Sequence, residues 1–400
     1  MLKPIDTAQL RRQFEDELTG NILKFWIDNA VDEENGGFYG YISNDRKADK
    51  YHDKASVLNS RILWTFSAAF RIYGNSEYLS MATRAYDYIT GHFIDPQYSG
   101  VYWMVDCKGA TVNTKKQVYA IAFAIYGLTE YFKATGNRES LDKAIELYNA
   151  LEEHAYDRRY MGYTEAFSRD WSPVGDMSLS EKDMNSEKSM NTHLHILEAY
   201  TSLFRVWKDS SLEKALRELI RVTVDHIVDP KTHSFGLFFD GTWNSRSGAV
   251  SYGHDIEGSW LLCEAAGALG DSVLLDEARR VSVNMAWKVL ENGIDRKHGG
   301  LFFEGEHGAV TKPEKEWWPQ AEAVVGFYNA YQLAGDEAFF KAALDVWDFI
   351  GRRISDRVRG EWFWGVSEDG LSLTGDEKAG PWKCPYHNGR MCLEMLRRLR

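Results

Sequence analysis

Gly36-Gly37-Phe38-Tyr39-Gly40-Tyr41 is the first of six short pieces in which glycine precedes aromatic or branched residues in alternating order. The others are Ser99-Gly100-Val101-Tyr102-Trp103, Met161-Gly162-Tyr163-Thr164, Phe235-Gly236-Leu237-Phe238-Phe239, Gly299-Gly300-Leu301-Phe302-Phe303 and Gly360-Glu361-Trp362-Phe363-Trp364. Their glycines at 37, 100, 162, 236, 300 and 360 recur every 60 to 75 residues or so, the mark of repeated supersecondary units. Each piece reads as a short strand after a tight turn. Two helical stretches separate consecutive pieces, such as 55–73 closed by Gly74 then 77–92, 118–135 closed by Gly136 then 138–156, and 189–207 then 212–227. Glycine at the end of a helical pattern is a stop signal.

The first helix of a pair is apolar nearly all round, as in Ser56-Val57-Leu58-Asn59-Ser60-Arg61-Ile62-Leu63-Trp64, and belongs on the inside. The second is amphipathic, as in Leu141-Asp142-Lys143-Ala144-Ile145-Glu146-Leu147, and belongs outside. Six such pairs predict an all-α protein, an (α/α)6 barrel of six helical hairpins with short strands at one end. An open array of helical repeats is the alternative. No proline-rich or low-complexity linker interrupts the pattern, so residues 1–400 are expected to form one domain.

A hydrophobic content of 44% suits a sizeable core, and the net charge of -12 disfavours nucleic acid or an anionic membrane as partner. The charged, helical pattern of Met1 to Phe14 lacks the apolar stretch of a signal peptide, and nothing reads as a membrane span. Cys107, Cys263, Cys384 and Cys392 show no paired spacing and read as reduced thiols of a cytoplasmic protein. Most of the fourteen tryptophans belong to a large aromatic core, and a few of them suit stacking on sugar rings.

Polar residues within the inner helices are informative because their burial is costly without partners. Asn191, His195 and Glu198 share one helix face, whereas His193 lies with Met190, Leu197 and Tyr200 and reads as a core histidine. His254, Glu257 and Trp260 share a face near a helix start, where the imidazole is kept neutral. Trp318 and Glu322 face one way after Trp317, with Pro319 marking the helix start. His387 opens the last helix after an aromatic loop containing Trp382. Arg61 stands alone in an apolar helix and needs an anion or polar ligand. No phosphate loop, dinucleotide fingerprint, nucleophile elbow or metal-ligand cluster is present, so neither cofactor nor metal is expected. These groups suit proton transfer on a polar, ring-shaped substrate.

The segments Lys188 to Tyr200, Gly253 to Glu257, Trp317 to Glu322 and Trp382 to His387 resemble the cellobiose branch of the N-acylglucosamine 2-epimerase family, and the likeness spans nearly the whole chain. The resemblance implies an isomerase without cofactor that inverts carbon 2 of the reducing-end glucose in β-1,4-linked disaccharides, cellobiose and lactose among them. It implies His254 and His387 as the two acid/base groups, and His195 as an aid to ring opening or a holder of the substrate oxygens. Arg61 would bind the enediolate oxygen, and Glu257 and Glu322 would orient histidines and hydroxyls. Tyr119, Asp183, Asn191, Trp318 and Trp382 would line the sugar subsites, with Trp260 beside them. The expected partner is a small disaccharide, and the expected state a monomer. Competing readings are a monosaccharide epimerase or aldose-ketose isomerase, a glycoside hydrolase using Glu257 and Glu322, and a non-enzymatic sugar-binding module.

Overall fold

The computed structural model describes residues 7–373 and 375–399, so the start of the charged N-terminal stretch lies outside the described residues. Six inner helices, Ser56–Tyr73, Val118–Thr135, Met190–Phe204, Tyr252–Leu269, Trp317–Ala334 and Tyr386–Arg398, each touch the next, and the last touches the first. Residues 56 through 69 and 118 through 131 are buried without exception, as all-round apolar sequences require. Each fully buried Leu or Phe there is worth about 1.5–3 kcal/mol over exposure. Gly127 lets the first two inner helices close up, since a Cβ there would lie 2.7 Å from the Ser60 carbonyl. Gly74 and Gly136 end these helices at φ 64° and 75°, a conformation that penalises a side chain.

Five outer helices begin at Ser76, Arg138, Ser210, Ser272 and Glu337 and pack on the inner helix before them. Four of these end in a π-helical turn, at Ile89–Phe93, Leu151–Ala155, Thr223–Ile227 and Ile350–Ile354. The sixth outer element runs from Thr7 to Asn29 and packs on the final inner helix. Only five hairpins are therefore consecutive in sequence. The two ends of the chain build the sixth and close the ring.

Short strands gather at the end where the inner helices start. Each strand leading into an inner helix pairs antiparallel with one in the following repeat: Lys54–Ala55 with Met104–Val105, Lys116–Gln117 with Ala166–Phe167, Lys188–Ser189 with Phe238–Phe239, Ala249–Ser251 with Glu304–Glu306, and Lys315–Glu316 with Gly365–Val366. An Ile42–Ala379 bridge completes the circle. The glycine-aromatic pieces themselves mostly contribute single bridges, such as Val31–Phe38 and Ile94–Val101, and most of the paired strands lie a few residues later.

Buried lysines clip these turns. Lys54, Lys116, Lys188, Lys315 and Lys378 meet Asp32, Asp95, Asp157, Asp295 and Asp356 at 2.7–2.9 Å. The fourth repeat departs from the pattern, with Val250 standing two residues before its inner helix where the preceding repeats have lysine. No described helix is long and apolar enough to cross a membrane.

Candidate active site

The starts of the inner helices converge on one end of the barrel, and the polar side chains follow a ladder. Second and sixth positions supply Tyr119, then Asn191 with His195, then Trp318 with Glu322. Arg61 and Glu257 are also sixth, His254 is third, and His387 is second. Spacing of four residues keeps each pair on one face, aimed at the ring's axis.

His387 and Glu322 belong to a buried charge network. His387 Nδ1 lies 2.7 Å from Glu322 Oε1, and Trp260 Nε1 donates to Glu322 Oε2 at 3.1 Å. Arg390, one helical turn beyond His387, donates through Nη2 to both Glu322 and Glu257, and through Nη1 to Glu198. Glu198 also accepts from the Tyr386 hydroxyl at 2.6 Å and meets His195 Nδ1 at 3.1 Å. One guanidinium thus serves three buried carboxylates. Burial raises Glu257 to about 8, assisted by the charge of Glu322. Burial also raises Glu322, with Arg390 opposing. Burial pushes Glu198 up as well, but Arg390 and His195 outweigh it and hold the carboxyl near 2. Arg390 therefore pairs chiefly with Glu198, and burial favours the protonated form of Glu257.

His254 is simpler. Its Nδ1 lies 2.8 Å from the Ser251 hydroxyl, and its ring packs 4.6 Å from the Trp318 indole. The His387 ring lies 5.6 Å from the same indole. Burial holds the pKa of His254, His195 and His387 below the ordinary imidazole value, and Arg61 and Arg390 add to this at His387. All three are neutral near pH 7.

Arg61 is buried against the Phe123 ring, its guanidinium 4.2 Å from the centroid. It donates to the Tyr119 hydroxyl at 2.6 Å and to the Trp382 carbonyl at 3.4 Å, with no carboxylate at hydrogen-bonding distance among the described residues. Its Nε, Asn191 Oδ1 and Glu257 Oε2 are buried without a partner. A buried polar atom without a partner is costly, so these three, gathered at one site, suit contact with ligand hydroxyls or oxyanions. A cavity of about 220 Å³ leads outward from His254, bordered by Asn191, Asp183, Phe238 and Phe303. Asp183 lies on the long loop 168–187 and accepts from Ser180 Oγ at 2.7 Å. Trp382 is half-buried, 5.9 Å from Trp103 and 6.0 Å from Tyr119.

The geometry thus brings together His195, His254, His387, Arg61, Glu257, Glu322, Tyr119, Asn191 and Trp318. Trp260 sits behind them, stacked on Arg390 at 4.8 Å. His193 is held between the Ser189 carbonyl at 2.7 Å and the Tyr163 N–H at 2.8 Å, both ring nitrogens spent on backbone. Sequence reasoning passed over Arg390, Tyr386 and Ser251. A signal existed for Arg390: the argument that a buried arginine needs an anion applies to it as it does to Arg61. Glu257, Glu322 and His387 place ligand atoms within 4.8 Å of one another, as a metal site would, but the two carboxylates already share the Arg390 cation.

Residues 37–389 match the family model of N-acylglucosamine 2-epimerase (GlcNAc 2-epimerase). The chain belongs to this family. Within it, the chain is 48% identical over 387 residues to a cellobiose 2-epimerase of Bacteroides fragilis, covering 97% of this chain and 98% of that one. It is 41% identical over 396 residues to a cellobiose 2-epimerase of Dictyoglomus turgidum, covering 99% and 100%. The solved structure of cellobiose 2-epimerase from Bacillus thermoamylovorans B4167 superposes with a TM-score of 0.93 at 40% identity, covering 98% of this chain and all of that one. The fold of this family member is accordingly the (α/α)6 barrel, with the candidate site at the strand-bearing end.

Proposed function

We propose that the chain is a carbohydrate epimerase that inverts carbon 2 of the reducing-end glucose of β-1,4-linked disaccharides, converting cellobiose to glucosyl-mannose and lactose to epilactose. The observation that carries the chemistry is the pair of neutral imidazoles, His254 and His387, beside one indole and near a buried arginine that lacks an anion. Ring opening exposes an aldehyde and acidifies the proton on carbon 2. One histidine takes that proton as the C–H bond breaks, and the electron pair moves onto the carbonyl oxygen, giving a cis-enediolate. The other, having taken up a proton from solvent, gives it to the opposite face of carbon 2 and returns to the neutral ring. The carbonyl re-forms, and the first histidine releases its proton to solvent. Inversion needs two bases because removal and delivery occur on opposite sides.

Arg61 stabilises the oxyanion, a charge present only after proton loss and set against low-dielectric walls. His195, tied to Glu198, assists ring opening. Glu322 orients His387, and Glu257, protonated, offers its carboxyl to a hydroxyl. Tyr119, Asp183, Asn191, Trp318 and Trp382 hold the sugar rings, with Trp260 supporting Glu322 from behind. A glycoside hydrolase needs two carboxyls set apart across the scissile bond. Glu257 and Glu322 instead bond to a single guanidinium nitrogen, side by side. On this reading the enzyme works as a cytoplasmic monomer of one domain, on a neutral sugar, without nucleic acid, metal or nucleotide. Four unpaired thiols and a net charge of -12 support this setting.

The test is cellobiose incubated with enzyme in heavy water and followed by proton NMR. Epimerised disaccharide carrying deuterium at carbon 2 is the expected product. Unlabelled epimer points to a shielded single-base transfer, and free glucose to a hydrolase; either overturns the mechanism.

A further inference from the structure

Glu316 immediately precedes the inner helix Trp317–Ala334, the position at which a polar side chain ordinarily accepts a helix N–H. Two other inner helices follow that rule, with Ser189 accepting from the Thr192 N–H and Ser251 from the His254 N–H. Glu316 makes no such cap. One of its carboxylate oxygens accepts from Trp318 Nε1 at 3.0 Å and the other from Trp364 Nε1 at 3.1 Å. Its carboxylate is committed instead to two indoles.

One of those indoles is the ring that both candidate bases approach. Trp318 is confined on its other side as well, because a Cβ on Gly253 would lie 2.7 Å from its six-membered ring. Gly253 precedes His254, so the indole is seated on the backbone that carries one base. Its N–H is the single polar handle through which its orientation can be fixed, and Glu316 holds it. Trp364 has a different setting, packed 4.6 Å from Trp317.

We propose that Glu316 is a positioning residue for the epimerase reaction, its carboxylate fixing the plane of the Trp318 indole so that the reacting sugar lies correctly between His254 and His387. This rests on the functional reading above. Two acceptor oxygens are needed for two N–H donors, which a carboxylate supplies and an amide does not. Burial raises the Glu316 carboxyl to about 7, with the two indole N–H groups and Lys182 of the long loop favouring the charged form. Lys182 also borders the cavity beside His254.

The experiment compares the unmodified enzyme with E316A, E316Q and W364F in steady-state kinetics on cellobiose, with circular dichroism and melting recorded for each. E316A should lose about tenfold or more in kcat/KM, the scale of one hydrogen bond to a charged group. The loss should fall mainly on KM, since the indole holds the sugar and transfers no proton. E316Q, which keeps volume and one acceptor, should fall between, and it serves as the test if E316A does not fold. W364F removes the other indole bond and should stay within about twofold of the unmodified enzyme. Melting temperatures that fall while KM stays unchanged would make Glu316 a structural residue and overturn the proposal, as would W364F matching E316A. An unmodified enzyme that yields no deuterated epimer fails the functional reading itself. An active unmodified enzyme beside normal E316A and E316Q kinetics fails this inference alone.

Discussion

His387 and His254 sit at equivalent places, each in the first turn of an inner helix, yet their Nδ1 atoms meet different partners. His387 faces Glu322, whose oxygens otherwise receive N–H groups from Trp260 and Arg390. Because these neighbours are donors, the proton on the Nδ1–Oε1 line belongs to the imidazole, and Nε2 is left as a bare base. His254 faces the Ser251 hydroxyl, which both donates and accepts. Its ring can therefore offer either a lone pair or an N–H at Nε2 without change of charge. The carboxylate also favours the imidazolium formed when His387 takes a proton, while the hydroxyl gives His254 no such support. His387 thus holds its Nδ1 against a carboxylate while Arg61 and Arg390 oppose its cation, and His254 can switch between donor and acceptor.

The largest way to break this pair is to remove either ring. H387A and H254A should each lose about 10²–10⁴-fold in turnover on cellobiose, the usual contribution of a general acid-base group, with native circular dichroism. Near-normal turnover in one variant would take that histidine out of the reaction. The partners separate the two sites more finely. E322Q removes a hydrogen bond to a charged group and should lower kcat/KM by about 10–100-fold, whereas S251A removes a neutral one and should cost about 2- to 10-fold. Kinetics showing S251A as the more damaged variant would reverse the assignment of roles.

How much of this was legible in sequence follows from the same residues. The barrel was readable because its period is written in glycines and in helices apolar on all sides, such as 118–131. The closing hairpin was not, because its two helices lie at opposite ends of the chain and no local pattern joins them. His195, His254, His387 and Arg61 stood out as polar residues in apolar helices. Arg390 carries the same signal but lies beyond His387 in a helix with a basic last turn, where arginine reads as ordinary. Ser251 and Glu316 were silent for another reason. A polar residue before a helix is what capping leads one to expect, and only the structure reveals that one grips an imidazole and the other two indoles. The buried lysine clips were equally hidden, since each joins two residues 20 to 31 positions apart in sequence.

The smallest effect is a shift along the pH axis, and it tests the comparison without removing either base. Burial depresses the pKa of both histidines, so each neutral form persists into more acid solution than a free imidazole of about 6.5 would allow. The pH dependence of kcat/KM reports groups of the free enzyme, so its acid limb should lie below pH 6.5. In E322Q the carboxylate that favours the His387 imidazolium is gone. Protonation of that ring becomes harder, and the limb should move further to the acid side. Ser251 is uncharged, so in S251A the limb should stay nearly where it is in the unmodified enzyme. Measurement of kcat/KM on cellobiose from pH 5 to 9 for the three proteins decides the matter. An acid limb at or above 6.5 in the unmodified enzyme would mean that the essential base is not one of these buried rings. A limb that moves to higher pH in E322Q would mean that Glu322 does not act on His387 as a negative charge, and the contrast between the carboxylate-held and hydroxyl-held histidines would lose its electrostatic basis.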